Sequence, residues 1–119
     1  MAIAAALADA FWPGPLSIVL KAASSVPNIV TAGLDSVAIR APAGEAVRSV
    51  LQHCQFPLAA PSANLSGRPS PTCAGHVERT LGGRIAAILD GGQTTIGIES
   101  TVVDPVSYTH LRAHETLPY

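Results

Sequence analysis

The sequence predicts an α/β domain built on a twisted mixed sheet with flanking helices. Short segments rich in apolar and β-branched residues alternate with segments of helical composition, which is the pattern of a layered α/β fold. Clusters of proline and glycine separate these segments. Hydrophobic residues make up 48% of the chain and charged residues only 13%, which favours a buried core over disorder. A chain of 119 residues suits one domain at most.

The first helix is predicted at residues 2–10, which are alanine-rich. The following Trp12-Pro13-Gly14-Pro15 ends it, because two prolines and a glycine cannot continue a helix. A second helix is predicted at residues 43–52, with Pro42 in its first turn.

A third helix is predicted at residues 73–81. Thr72 is the candidate N-cap, and Gly82-Gly83 is the expected C-terminal stop. His53 and His76 fall on the predicted helices, where a surface or packing role is expected.

Five strands are predicted, each short and apolar. The third of them is apolar at every position, so we expect it to be covered on both faces. The turn Asp90-Gly91-Gly92 follows the fourth. The five segments are residues 16–20, 37–40, 57–60, 85–89 and 100–104.

A polar loop follows the third predicted strand. Residues 59–67 read Ala-Ala-Pro-Ser-Ala-Asn-Leu-Ser-Gly, and they place the hydrogen-bonding side chains of Ser62, Asn64 and Ser66 within five positions. Asn and Gly tolerate a positive φ, so the backbone can form a cup with its N–H groups turned inward. Such a cup suits a phosphate or carboxylate. An ordinary turn is an equally good interpretation of the pattern alone.

The net charge and the cysteines make some classes of protein less probable than others. The net charge is −1 and Lys21 is the only lysine, so no strong field draws the chain to nucleic acid or a membrane. Cys54 and Cys73 lack CxxC spacing, which favours a reduced, cytoplasmic protein over one with a disulfide. Residues 1–8 are too short to cross a bilayer and make a poor signal peptide.

Residues 106–119 have no clear periodicity. On a helix, His110 and His114 would share a face with Glu115 beside them, which is a weak metal-binding pattern. A disordered or extraneous tail is the preferred interpretation, and no metal site is predicted.

Five segments, in this order, closely resemble the YrdC-type threonylcarbamoyl-AMP synthase family. The resemblance extends from about residue 7 to residue 105. The segments are FWPGPL at 11–16, VAIRAP at 37–42, APSANLSGRPSPT at 60–72, LDGG at 89–92 and GIESTVVD at 97–104.

The resemblance implies an activity and a fold. Members of this family combine L-threonine, bicarbonate and ATP into threonylcarbamoyl-AMP and release pyrophosphate, and the threonylcarbamoyl group is placed on an adenosine of certain tRNAs. The implied fold is a twisted α/β sheet whose concave face forms a deep polar cavity for nucleotide and amino acid. Mg²⁺ is expected beside ATP, as in phosphoryl-type transfers generally.

The resemblance also implies two sets of site residues. Ser62 and Asn64 match the family's Ser-x-Asn motif, which contacts the nucleotide. Alternate residues of an extended segment face the same way, so both side chains can reach one ligand. Ser70 and Ser36 match positions that line the ATP pocket, although Ser70 could equally help to cap the helix that follows.

The second set is expected to bind the threonine substrate. Arg40 matches an arginine associated with threonine, and a guanidinium suits a carboxylate in a bidentate manner. Ala60, whose position also lines the ATP pocket, and Ser100 complete the predicted threonine site, with Thr101 as the neighbour of Ser100 on the opposite strand face. No residue is assigned as a catalytic acid or base, so catalysis by placement and electrostatic stabilisation is expected.

The family's N-terminal half, with its Thr-x-Tyr-Gly-Leu segment and phosphate-gripping Lys-x-Arg motif, has no counterpart here. Residues 1–105 are therefore predicted to be a partial YrdC-like domain and residues 106–119 a tail outside the family pattern. Arg112 is not assigned to the ATP arginine that the family carries further along. The chain alone is expected neither to fold stably nor to make threonylcarbamoyl-AMP, because exposed strand edges and apolar surface favour aggregation.

Two alternatives remain open. One is a module that binds double-stranded RNA or tRNA without catalysis, which the near-neutral charge disfavours. The other is the related carbamoyl-transfer domain of hydrogenase maturation. Downstream tRNA-modification proteins are the expected partners of the synthase, in the cytoplasm and without a membrane.

Overall fold

The computed structural model describes residues 2–94 and 101–105 and the backbone of residues 109–112. The chain divides into two compact units, one formed by Met1–Ala43 with Glu99–Tyr119 and the other by Gly44–Ile98. None of the helices in the described part of the chain has the length and apolarity needed to cross a lipid bilayer.

The first unit begins with helix α1, Ala2–Phe11, and strand β1, Ser17–Lys21. Alanine favours the helix, and the proline and glycine that follow Trp12 prevent its continuation. The Trp12 indole Nε1–H donates to the carbonyl oxygen of Leu16 over 2.8 Å, which fixes the turn between the two elements. The predicted first helix and first strand are confirmed.

A short helix and a second strand follow in the same unit. Helix α2 is Asn28–Thr31 and strand β2 is Ser36–Ile39. The sequence predicted this strand but not the helix, because a single turn is too short to show a 3.6-residue periodicity. The helix ends where Ala32 and Gly33 adopt positive φ values of 54° and 81°.

The sheet of the first unit is mixed, as predicted. β1 and β2 are antiparallel, from Ile18 opposite Ile39 to Lys21 opposite Ser36. Strand β3, Thr101–Asp104, runs parallel to β1, and strand β4, Thr109–Arg112, pairs antiparallel with β3. The resulting order is β2-β1-β3-β4. β4 lies within the stretch predicted as a tail, and the predicted domain boundary at residue 105 stays a prediction.

The core of the first unit lies between α1 and the sheet. Ile18 is only 1% exposed, and Ala4 and Leu16 are also buried. Burying an isoleucine side chain contributes roughly 1.5–3 kcal/mol. Partly buried side chains from α1, the turn after it, β1 and β3 pack against these three residues: Leu7, Ala8, Trp12, Leu20 and Val103.

The second unit contains helices α3, Glu45–His53, and α4, Ala74–Leu81. Gly44 is the N-cap of α3, so the prediction that Pro42 opens the helix from its first turn is wrong. Glu45 in the first turn and His53 in the last suit the helix dipole. His53 is exposed, and its Nδ1 bonds the carbonyl of Ser49 at 2.7 Å.

Helix α4 begins one residue later than predicted, with Cys73 rather than Thr72 as the N-cap. Thr72 instead donates its backbone N–H to Nδ1 of His76 over 3.2 Å. His76 is the third residue of α4, and its ring folds back over the start of the helix to accept the N–H of the residue before the N-cap. The C-terminal stop is confirmed, since Gly82 is the C-cap and Gly83 has a φ of +83°.

Two predicted strands are not formed. Residues 57–60 and 85–89 are irregular or turn-like, and Leu58 and Leu89 are 46% and 62% exposed. The expectation that residues 57–60 are covered on both faces is therefore wrong. A strand needs a neighbour to satisfy its backbone N–H and C=O groups, and neither segment has a pairing partner among the described residues.

Candidate functional site

The end of β2 is held by the loop that precedes β1. Gly14 donates its N–H to the carbonyl oxygen of Ala41 over 2.7 Å, one residue after Arg40. Gly14 is buried, and a Cβ at this position would lie 2.5 Å from the carbonyl oxygen of Phe11. Only glycine fits there, so this residue allows the loop to reach β2 and anchors the segment that carries Arg40.

The topology of the sheet places Arg40 and the start of β3 at the same end. β2 runs antiparallel to β1 and β3 runs parallel to it, so the end of β2 and the beginning of β3 both lie beside the beginning of β1. Arg40 is exposed and Thr101 is half-buried. Two strand spacings separate them, about 10 Å. Ser100 directly precedes Thr101 in the sequence and lies outside the described residues.

Ser36 lies at the opposite end of β2, beside Lys21. Four residues of extended chain separate it from Arg40, about 13 Å. The structure therefore does not bring Ser36 to the Arg40 end of the sheet.

The loop of the second unit closes around the side chain of Asn64. Its Nδ2 donates to the carbonyl oxygens of Leu65 and Arg68, over 2.9 and 3.0 Å. The N–H of Arg68 donates to Leu65 over 2.9 Å, and Gly67 has a φ of +78°, as the third position of a type II turn requires. Asn64 thus fixes the loop backbone from inside.

This arrangement corrects the predicted cup. Carbonyl oxygens, rather than backbone N–H groups, converge on Asn64. The segment bends at Ala63 and Asn64, so Ser62 and Asn64 are not alternate residues of one extended strand. Ser62 and Ser66 are exposed, whereas Asn64 is half-buried.

Asn64 also has a buried oxygen without a partner. Its Oδ1 is inaccessible to solvent and accepts no hydrogen bond. A buried acceptor in this state has lost its hydration without compensation, at a cost of about 1–3 kcal/mol. Because the oxygen is inaccessible, it can accept a hydrogen bond from a ligand only after a movement of the loop exposes it. Of the other predicted residues in this unit, Ala60 is exposed and Ser70 is half-buried.

A groove that the sequence did not reveal lies beside the start of α4. The N–H of Thr94 donates to the carbonyl oxygen of Thr72 over 2.8 Å, and Asp90 Oδ1 accepts the N–H of Gly92 over 2.9 Å. These bonds hold the two walls of a cavity of about 150 Å³. Pockets for drug-sized ligands usually measure about 300–1,000 Å³, so this one is too small for a nucleotide.

The described residues contain no group of three or more His, Cys, Asp or Glu side chains that could hold a metal ion. Mg²⁺ typically binds through one or two carboxylates together with the phosphates of a substrate.

The mixed sheet and the helices define an α/β fold. The chain belongs to the Sua5/YciO/YrdC family, whose model, described as "Telomere recombination", matches residues 2–114. The "Threonylcarbamoyl-AMP synthase" of Pyrococcus abyssi is 53% identical over 98 residues, which cover 82% of this chain and 29% of that protein. The one of Bacillus subtilis is 52% identical over 94 residues, covering 78% and 27%.

Shorter relatives and a solved structure agree with this membership. The "Threonylcarbamoyl-AMP synthase" of Vibrio parahaemolyticus is 37% identical over 86 residues, covering 72% of this chain and 46% of that protein. The crystal structure of P. abyssi Sua5 complexed with L-threonine matches with a TM-score of 0.87 and 48% identity, covering 92% of this chain and 32% of that one. The chain thus spans under a third of the first relatives and about half of the shorter one.

Proposed function

We propose that this chain forms one wall of the active site of a threonylcarbamoyl-AMP synthase. The enzyme would combine L-threonine, bicarbonate and ATP into threonylcarbamoyl-AMP and pyrophosphate, for the formation of threonylcarbamoyladenosine in tRNA. The observation that carries the proposal is the 53% identity, over 98 residues, to the P. abyssi protein of that name.

The threonine side of the site would use the end of the sheet where β2 finishes and β3 begins. Arg40 is exposed there, and its guanidinium can bind the threonine carboxylate through two parallel N–H···O bonds. Gly14 supports this role by holding Ala41, the next residue, through a backbone hydrogen bond. Ser100 and Ala60 would complete the threonine site, as the family pattern implies.

The ATP side would use the loop around Asn64. The unpartnered Oδ1 would accept a hydrogen bond from the nucleotide after a movement of the loop exposes it. Ser62, Ser70 and Ser36 are the further ATP residues of the proposal.

The reaction would depend on how the chain positions the reactants. Bicarbonate takes up a proton and loses water to give carbon dioxide. The threonine amine adds to the carbon dioxide and loses a proton, which leaves a carbamate, and a carbamate oxygen attacks the α-phosphorus of ATP. The bond from this phosphorus to the bridging oxygen breaks and pyrophosphate leaves. Mg²⁺ would neutralise the phosphate charge. The chain's own residues hold the reactants in line, which can supply much of the rate enhancement.

The positive charge that the triphosphate needs is scarce here, since Lys21 is the only lysine of the chain. We therefore propose that the 119-residue chain is inactive alone, and that the rest of the family domain supplies the cations. The product would pass to downstream tRNA-modification proteins in the cytoplasm.

A chimera tests the function. Residues 7–105 of this chain replace the matched segment of the B. subtilis relative, and pyrophosphate release is measured with and without L-threonine and bicarbonate. We expect release that depends on both compounds, and none from the 119-residue chain alone. A chimera that melts cooperatively but releases no pyrophosphate contradicts the proposal. Salt-sensitive binding of double-stranded RNA by that inactive chimera would favour the RNA-binding alternative.

A further inference from the structure

The side chain of His76 is bonded to the segment that precedes its own helix. The residue is half-buried, and its Nδ1 lies 3.2 Å from the backbone nitrogen of Thr72 and 3.3 Å from the Thr72 Oγ1. A backbone N–H can only donate a hydrogen bond, so Nδ1 is the acceptor. The ring is therefore neutral, with its proton on Nε2.

Thr72 is also held at its other backbone group. Its carbonyl oxygen accepts the N–H of Thr94 over 2.8 Å. One of these two bonds comes from within α4, and the other comes from the segment after the turn at residues 90–92. Both backbone groups of Thr72 are thus fixed, although the residue belongs to neither a helix nor a strand.

The connection from Thr72 back to Ser70 is stiff. Pro71 lies between them, and its ring fixes its own φ at about −65°. A residue that precedes proline is restricted to extended conformations, which limits Ser70 as well. Because few backbone torsions remain free, a constraint on Thr72 also restricts where Ser70 lies. Ser70 is half-buried and is one of the ATP residues of the proposed function.

We propose that His76 is a positioning residue for ATP. It acts through Thr72 and Pro71, which hold Ser70 in the geometry that binds the nucleotide, and it does not itself touch the substrate. The inference rests on the proposed function, since it takes Ser70 as an ATP residue. It gives His76 a role beyond the surface or packing role that the sequence predicted.

Two substitutions separate the hydrogen bond from the stability of the helix. His76→Ala removes the acceptor but raises the helix propensity, so α4 itself is expected to persist. His76→Asn carries an amide oxygen on Cγ, where the imidazole carries Nδ1, so it can accept the Thr72 N–H although asparagine is a poorer helix former than alanine. A milder effect of His76→Asn than of His76→Ala therefore reports the hydrogen bond.

The bond is measured first, in the chimera that carries residues 7–105. Nitrogen-15 chemical shifts of the His76 ring are expected to show a protonated Nε2 and an unprotonated Nδ1. Amide hydrogen exchange of Thr72 is expected to accelerate roughly tenfold or more in His76→Ala, and much less in His76→Asn. A proton on Nδ1, or equal exchange in all three proteins, overturns the proposal whether or not the chimera is active.

The consequence for ATP is measured next, by pyrophosphate release. His76→Ala is expected to raise the KM for ATP roughly threefold or more and to change kcat and the KM for L-threonine much less. His76→Asn is expected to restore most of the affinity for ATP. His53→Ala is the matched control, because His53 is an exposed histidine at the end of α3, bonded to the Ser49 carbonyl. This control is expected to leave all three constants unchanged.

The outcomes distinguish this proposal from the proposed function. In an active chimera, an unchanged KM for ATP in His76→Ala overturns the role of His76 and leaves the function standing. A parallel loss of kcat and of both substrate affinities, not rescued by His76→Asn, indicates a general structural role and also overturns it. A folded chimera that releases no pyrophosphate contradicts the function and, with it, the role of His76 toward ATP, while the Thr72 exchange still decides whether His76 holds this segment.

Discussion

Gly14 and Ala41 are joined by a backbone hydrogen bond of 2.7 Å that links the loop before β1 to the segment after β2. Strand β1 begins and strand β2 ends close to this bond, and Arg40 lies immediately before Ala41. A loop and a strand end separated by about 27 positions in sequence thus form one local structure, and the proposed threonine residue Arg40 depends on its geometry.

Gly14→Ala is expected to destabilise this part of the fold. The added Cβ would lie 2.5 Å from the Phe11 carbonyl oxygen, a backbone atom that cannot move without shifting the end of α1. Overpacking of this kind costs about 1–3 kcal/mol. Urea unfolding of the chimera measures the loss in the free energy of unfolding.

Gly44→Ala is the matched control for this substitution. Gly44 has a φ of −61°, and a Cβ there would meet the Val47 side chain at an ordinary 3.5 Å. Replacing an N-cap glycine with alanine costs only a few tenths of a kcal/mol up to about 1 kcal/mol. Equal losses for the two variants would show that the close approach at Gly14 is not what requires a glycine.

Gly75→Ala is expected to stabilise the second unit. Gly75 lies in the first turns of α4, and a Cβ there would meet only the Cys73 sulfur, at 3.9 Å. Glycine is about 0.8–1.0 kcal/mol less favourable than alanine in a helix interior, with less effect near the end. Thermal melting of the chimera should show a raised midpoint, and a lowered one would contradict the placement of this residue in α4.

Helices α1, α3 and α4 and strands β1, β2 and β3 could be predicted because their signals are local. Alanine content and the proline-glycine cluster defined α1, and the β-branched run Thr101–Asp104 defined β3. Residues 57–60 and 85–89 carry the same apolar composition but form no strand. Strand formation depends on a neighbour, and composition cannot report whether a neighbour is present.

The positions of the candidate site residues were predictable only in part, and their roles stay predictions. Arg40 follows a strand, as its position in the sequence indicated, and the topology brings it to the same end of the sheet as Thr101. The role of Asn64 inside its loop was not predictable, because its two bonds depend on where the carbonyls of Leu65 and Arg68 point. A turn residue signals that a loop forms, but it does not specify which backbone groups turn inward.

Substitution of Asn64 is expected to weaken ATP use. Asn64→Asp keeps an acceptor but loses the donor to two carbonyls, whereas Asn64→Ala loses both. Lost hydrogen bonds of about 1–3 kcal/mol predict a rise in the KM for ATP of roughly tenfold or more for both variants. Steady-state pyrophosphate release by the chimera measures this.

The control in the same loop is Ser66→Ala, since Ser66 is exposed. This variant is expected to change the KM for ATP less than twofold. If Asn64→Ala likewise left the KM for ATP unchanged while slowing turnover, the buried Oδ1 would not be a nucleotide contact.

Arg40→Lys should weaken threonine use selectively. Lysine keeps the positive charge but loses the planar fork that binds a carboxylate through two parallel hydrogen bonds. Hydrogen bonds to charged groups contribute about 1.5–3 kcal/mol, so kcat/KM for L-threonine is expected to fall roughly ten- to a hundredfold. The KM for ATP should change much less, because this side chain is assigned to the amino acid.

Arg79→Lys, at the end of α4, is the matched control, and it should alter neither constant. A parallel fall in ATP and threonine affinities for Arg40→Lys would instead indicate that the residue supports the sheet end as a whole.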